Sequence, residues 1–119
     1  ADYRPANPVK GKVRRKEERM DLELTPNPDV LAALVLAAPG AKVLAFAAEP
    51  DPGLETAAQK AERKNVFAIA VNDISRADVG FESEENELTL VYRDGRIEHS
   101  GKQSKLGCAL WLLETLART

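Results

Sequence analysis

AKVLAFAAEPDPGLETAAQKAERKNVFAIAV, residues 41–71, sets the architecture of this chain. Ala41 to Ala48 is a short apolar run without alternation, which suits a central strand of a parallel sheet covered on both faces. Pro50, Pro52 and Gly53 mark the turn that follows. Leu54 to Lys64 is rich in alanine and amphipathic, with Leu54, Ala57, Ala58 and Ala61 on one side, as expected of a helix laid on a sheet. Val66 to Val71 is a second buried strand, and it ends in Asn72-Asp73.

The same alternation extends outward. Upstream, Asn27-Pro28-Asp29 is a helix start: Asn caps free N–H groups, Pro fits the first helical position and Asp complements the dipole. The helix continues through Val30, Leu31, Leu34, Val35 and Leu36. It is apolar on most sides, so burial is expected. Pro39-Gly40 ends it. Asp21 to Thr25 alternates polar and apolar, as a half-exposed strand does. Residues 5–20 hold two prolines, a glycine and clustered charge, and read as a mobile basic loop.

Downstream, residues 74–86 form a long polar, acidic loop. Leu88 to Tyr92, then Asp94-Gly95 and Ile97, read as a hairpin. A last helix begins near Ser104, with an apolar stripe of Leu106, Ala109, Leu110, Leu113 and Leu116 and with Trp111 on its flank. Together these elements predict an α/β fold. It is Rossmann-like: a mostly parallel sheet, helices on both faces and an antiparallel hairpin at one edge, in a partial domain covering residues 1–119. Ala1-Asp2-Tyr3-Arg4-Pro5 reads like the exit of a strand, so upstream sequence is expected.

Composition narrows the function classes. Apolar residues make up 44% and charged residues 30%, a globular balance. The longest apolar stretch, Val30 to Ala38, is far short of the ~20 residues of a membrane helix. No signal-peptide pattern is visible, and a cytoplasmic protein is expected. The single Cys108 and the single His99 leave no internal disulfide and no cysteine or histidine metal cluster. Cys108 reads as a packing residue and His99 as an exposed strand end. The net charge of −2 hides a segregation, because residues 1–20 carry seven Lys/Arg and three Asp/Glu. A basic segment on an acidic body suggests an anionic partner near the chain start, and a solvated arm is the plainer alternative.

Open α/β sheets bind ligands beyond the carboxyl ends of their strands. That nominates Ala1-Asp2, Phe46 to Glu49, and Asn72-Asp73, although turns make strand ends polar in any case. The start of the 28–38 helix is a possible anion site, weakened by Asp29. Lys60 and Lys64, four apart on one helical face with Arg63 nearby, repel each other by a few tenths of a kcal/mol. A bound anion would offset that; a solvated face containing Glu62 is the bland reading. Lys10, Lys12, Arg14, Arg15 and Lys16 sit in the glycine-containing loop. Such a loop closes over a polyphosphate or serves as a nucleic-acid arm. The lack of aromatic residues after Tyr3 speaks against base stacking on single strands. There is no G-x-G-x-x-G, no Walker-type loop and no G-x-S-x-G elbow.

Several segments resemble, in order, the C-terminal half of the bacterial phosphopantothenate–cysteine ligase family, which is often fused to a flavin-dependent decarboxylase. They are Ala1 to Ala6, Lys12 to Arg15, Asn27 to Val30, Ala45 to Glu49, Lys60 with Lys64, Asn72 to Ser75, Gly80-Phe81, Asn86 to Leu90, and Ser104-Lys105. Two departures are Ala45, where the family usually has Gly, and Pro50, where Thr is frequent. The resemblance implies a ligase of coenzyme A synthesis. Such an enzyme makes an acyl-cytidylate from CTP and 4′-phosphopantothenate with release of pyrophosphate, and cysteine then displaces CMP.

It also implies CTP contacts at Asp2, Lys12, Pro28, Asp29, Val30, Leu31, Phe46, Lys60 and Lys64. Lys12 is implied to be catalytic and Mg²⁺ to be the polyphosphate counter-ion, with no metal held by the protein alone. FMN is expected only in a fused decarboxylase domain. Expected partners are the upstream half of the ligase domain and a second subunit in a homodimer, with neither membrane nor nucleic acid among them. The alternative from the residues alone is a non-enzymatic nucleic-acid or anion-binding module using the basic loop.

Overall fold

The computed structural model describes residues 1–14, 19–49, 53–73, 78 and 83–119. Its centre is a four-stranded mixed sheet built from β3 (Leu44–Glu49), β4 (Ala68–Asp73), β6 (Thr89–Tyr92) and β7 (Ile97–His99) in the order β3-β4-β6-β7. β3 and β4 run parallel, with Leu44 opposite Ala68 and Glu49 opposite Asp73. The pairings β4–β6 and β6–β7 are antiparallel. The turn between β6 and β7 contains Asp94 and Gly95, and Gly95 holds φ +85°, a region that favours glycine.

Three helices flank this sheet. α1 (Val30–Ala37) and α2 (Leu54–Arg63) lie over one face and α3 (Lys105–Arg118) over the other. Strand alternation explains why two cores form. Val43, Ala45, Ile69, Val71 and Val91 point toward α2, where they meet Ala57 and Ala61. Ala68, Ala70, Leu90 and Tyr92 point the other way and meet Cys108 and Leu112. Burial pushes the Tyr92 phenol above its usual value; Thr119 works against that rise and the hydrogen bond to Glu98 adds to it.

Two small antiparallel pairs stand outside the main sheet. β1 (Tyr3–Pro5) pairs with β2 (Leu24–Pro26), and β5 (Glu85–Asn86) pairs with β8 (Gln103–Ser104). The strand expected at 21–25 therefore lies at 24–26, and it joins a two-stranded pair rather than the central sheet. Within the acidic stretch 74–86, Glu85-Asn86 is a strand. Ile74, Ser75, Gly80 and Phe81 fall outside the described residues, as do Arg15, Lys16, Pro50 and Pro52. Of the 5–20 loop, Pro5 belongs to β1, and residues 6–14 contain no helix or strand.

The structure corrects four expectations. The strand at 41–48 is an edge strand of the four-stranded sheet, not a central one, and Phe46 is 69% exposed. α1 has no buried residue: Leu31 and Val35 pack against the core, while Val30 and Leu36 are exposed. A helix apolar all round indicates burial only where neighbours exist on all sides, and here one side is packed. The stripe expected to anchor the last helix faces outward instead. Leu106, Leu110 and Leu113 are exposed, and Cys108, Leu112 and Thr115 are the buried positions. This helix is apolar on two faces, and the face carrying Cys108, Leu112 and Thr115 is the one that meets the sheet.

The fourth correction concerns the start of α1. Asp29, not Asn27, is the N-cap: its Oδ1 accepts from the Ala32 amide at 3.0 Å. Asn27 is two residues earlier, tied to Arg4 and Ala1. Replacing Asp29 with Ala is expected to cost about 1 kcal/mol of stability, and replacement with Asn much less; urea denaturation midpoints of the two variants check this.

Candidate functional site

The carboxyl ends of β3 and β4 stop in register at Glu49 and Asp73. At the other end of α2, toward the amino ends of these strands, the β1–β2 hairpin meets the first turn of α1 and the last turn of α2. Asn27 fastens this corner: its amide N–H donates to the Asp2 carbonyl at 2.7 Å and its side-chain amide donates to the Ala1 carbonyl at 2.8 Å. The Arg4 guanidinium donates to the Pro26 carbonyl at 2.9 Å and to Asn27 Oδ1 at 3.2 Å. The chain start is thereby placed beside the start of α1.

The result is a cleft of about 380 Å³ lined by Ala1, Asp2, Asn27, Pro28, Asp29, Val30 and Lys64. It thus brings together residues from three elements far apart in sequence. Beside it runs a groove of about 510 Å³ that shares Asp29 and Lys64 and has Leu31, Ala32 and Val35 as its apolar wall, with Arg63 at its rim. Lys64 closes α2 as its C-cap, where a cation is also favoured by the helix dipole. The arrangement offers one ammonium group, a helix start and carboxylates at Asp2 and Asp29.

Of the nine residues singled out in the sequence, Asp2, Pro28, Asp29, Val30 and Lys64 share the cleft, and Leu31 lines the adjoining groove. Lys60 is elsewhere. Its Nζ sits 3.0 Å from Glu49 Oε1, over a separate hollow of about 100 Å³ walled by Ala47, Ala57, Ile69 and Val71. Phe46 lies on the opposite face of the sheet from Lys60, because side chains alternate along β3 and Ala45 and Ala47 take the α2 side. Lys12 is exposed in the loop between β1 and β2 and lines none of these hollows.

Sequence reading missed Asn27 as the fastener and Glu49 as the partner of Lys60. The second had a signal: a lone carboxylate ending an apolar strand, eleven residues before a lysine on the helix that packs on that strand. Among the described residues no three His, Cys, Asp or Glu side chains gather to hold a metal ion.

Comparison with known proteins bears on the family of the chain and on its fold. The model of the DNA/pantothenate metabolism flavoprotein C-terminal domain matches residues 1–119. The coenzyme A biosynthesis bifunctional protein CoaBC of Vibrio cholerae is 34% identical over 99 residues, covering 81% of this chain and 25% of that protein. Its namesake in Escherichia coli strain K12 is 36% identical over 99 residues, covering 80% of this chain and 24% of that protein. This chain therefore spans about a quarter of the length of these curated relatives. A crystal structure of the C-terminal domain of a CoaBC protein superposes with a TM-score of 0.66 at 25% identity, covering 81% of this chain and 46% of that one. The DNA/pantothenate metabolism flavoprotein from Streptococcus pneumoniae, at 14% identity and a TM-score of 0.67, shares the fold.

Proposed function

The chain belongs to the DNA/pantothenate metabolism flavoprotein C-terminal domain family, and from that membership we propose that it is the nucleotide-binding part of a CTP-dependent phosphopantothenate–cysteine ligase in coenzyme A biosynthesis. The observation that carries this reading is the single cleft in which Asp2, the start of α1 and Lys64 meet. An anionic ligand gains there from the Lys64 ammonium and from the N–H groups of the first helical turn.

In this reading the 4′-phosphopantothenate carboxylate attacks the α-phosphorus of CTP and pyrophosphate leaves. The cysteine amine then attacks the acyl carbon of the mixed anhydride and CMP leaves. The chain's own groups bind and neutralise. Lys64 holds phosphate oxygens, and Lys60, four residues earlier on the same helix, leaves Glu49 to join it. Lys12 comes from its loop to meet charge that develops as pyrophosphate departs. Phe46 offers an apolar ring at the sheet edge to the base. A ligand touching both Phe46 and Lys60 must lie across the carboxyl edge of β3, where open α/β sheets place their ligands. Mg²⁺ enters with the triphosphate as part of the substrate. The 4′-phosphopantothenate and cysteine subsites are assigned to the upstream half of the ligase domain, in a homodimer. Among the described residues no helix is long and apolar enough to cross a membrane, and a cytoplasmic location accompanies this reading.

The test is release of pyrophosphate by the full-length protein. We expect release from CTP that requires 4′-phosphopantothenate and does not require cysteine, since the acyl-cytidylate forms first. Release that is independent of 4′-phosphopantothenate, or none at all with CTP, would refute the assignment.

A further inference from the structure

We infer that Glu49 is a positioning residue, a carboxylate that latches the Lys60 ammonium at the carboxyl end of β3 until a polyphosphate takes the ammonium over. This rests on the proposed nucleotide site and deepens it. Glu49 is the last residue of β3, and Lys60 is on α2 beside the buried Ala61. Their charged atoms are 3.0 Å apart, and the side chains are 36% and 35% exposed, so the pair sits half in the protein and half in water. The hollow beneath it is walled by alkyl groups, with only the Thr56 side chain as another polar neighbour. Glu49 Oε1 is the carboxylate oxygen that meets the ammonium there.

Lys64 makes the contrast. It lies four residues on along α2, has no ion pair among the described residues and lines the open cleft. Two ammonium groups at this spacing repel, and Glu49 offsets that repulsion while no ligand is bound. When a polyphosphate arrives, Lys60 exchanges a carboxylate oxygen for a phosphate oxygen. Glu49 is left as an uncompensated negative charge near the ligand. The latch therefore orients Lys60 in the free protein and restrains affinity for polyphosphates, product pyrophosphate included.

The experiment compares Glu49→Gln, Lys60→Gln and the double variant in the full-length protein. Isothermal titration uses CTP, inorganic pyrophosphate and cytidine. Glu49→Gln keeps the shape and removes the charge. It is expected to tighten CTP and pyrophosphate binding about threefold, the scale set by half-exposed ion pairs, and to leave cytidine unchanged. In the Lys60→Gln background the same change is expected to have no effect, which a general structural role for Glu49 would not produce.

A second readout needs no nucleotide. Acylation of Lys60, followed by peptide mass mapping, is expected to run about threefold faster in Glu49→Gln, with Lys64 unaltered. Weaker or unchanged pyrophosphate binding, a gain that persists without Lys60, or equal acylation rates would overturn the latch. If the parent protein binds no CTP, the nucleotide reading fails by itself, and the acylation rates alone decide whether Glu49 latches Lys60.

Discussion

Replacing Leu90 with alanine is expected to lower the unfolding free energy by about 2–5 kcal/mol. Leu90 has no exposed surface. It sits in β6, between Ala70 on β4 and Glu98 on β7, and its side chain fills the layer between the sheet and α3 together with Cys108 and Leu112. Its neighbours on β4, Ala68 and Ala70, are small. They cannot collapse into the space that Leu90 leaves, so the cavity term is added to the lost transfer term. Chains of this size have a total stability of about 5–15 kcal/mol, and the loss is a large part of that. Urea denaturation followed by circular dichroism measures it. A midpoint shift without a change in slope indicates lost stability with the unfolding transition otherwise intact. The same change at Leu110, on the outward face of α3, is expected to cost well under 1 kcal/mol, because that side chain is exposed.

Replacing Lys64 with alanine is expected to weaken CTP binding about tenfold. Hydrogen bonds to charged groups contribute about 1.5–3 kcal/mol, and about 1.4 kcal/mol is a factor of ten in affinity. Lys64 is exposed, so the lower end of that range applies. It lines both the cleft beside Asp2 and the groove along α1, whereas Lys60 is held by Glu49. Of the two lysines, Lys64 is therefore the one whose loss costs more, since no carboxylate has to be displaced from it. Stability should be unaffected within about 0.5 kcal/mol, as for surface substitutions in general. Calorimetric titration of the variant checks the affinity, and its thermal midpoint checks the fold.

The strand–helix–strand unit and the hairpin were legible in the sequence because their signals are local. Short apolar runs, the amphipathic 54–63 helix and Asp94-Gly95 each point to one conformation. What stayed hidden depends on which neighbours are present. β3 has the composition of a central strand, yet it lies at an edge of this sheet, and Phe46 is left exposed. α3 carries leucines on two faces, and periodicity alone does not say which face meets the sheet; the face that does carries Cys108, Leu112 and Thr115. The N-cap of α1 moved from Asn27 to Asp29 because Asn27 is engaged across 26 residues with the Ala1 carbonyl, a contact that no local pattern encodes.

The candidate site divides in the same way. Pro28 to Val30 and Lys64 were readable as a helix start and a cationic helical face, and they meet Asp2 in one cleft. The separation of Lys60 from Lys64 was not readable. It follows from Glu49, whose alternation on β3 aims it at α2, so that one lysine is captured and the other is left toward the cleft.

Binding selectivity for the pyrimidine triphosphate is the property on which all of this turns. Titration of the full-length protein with CTP, ATP and GTP, each with magnesium, measures it in one experiment. CTP is expected to bind at least about tenfold more tightly than either purine nucleotide, the factor that about 1.4 kcal/mol of discrimination supplies, and Lys64→Ala is expected to weaken all three together, since Lys64 meets the phosphates they share. Equal affinity for all three nucleotides, or CTP affinity untouched by the loss of Lys64, would contradict the assignment of this cleft.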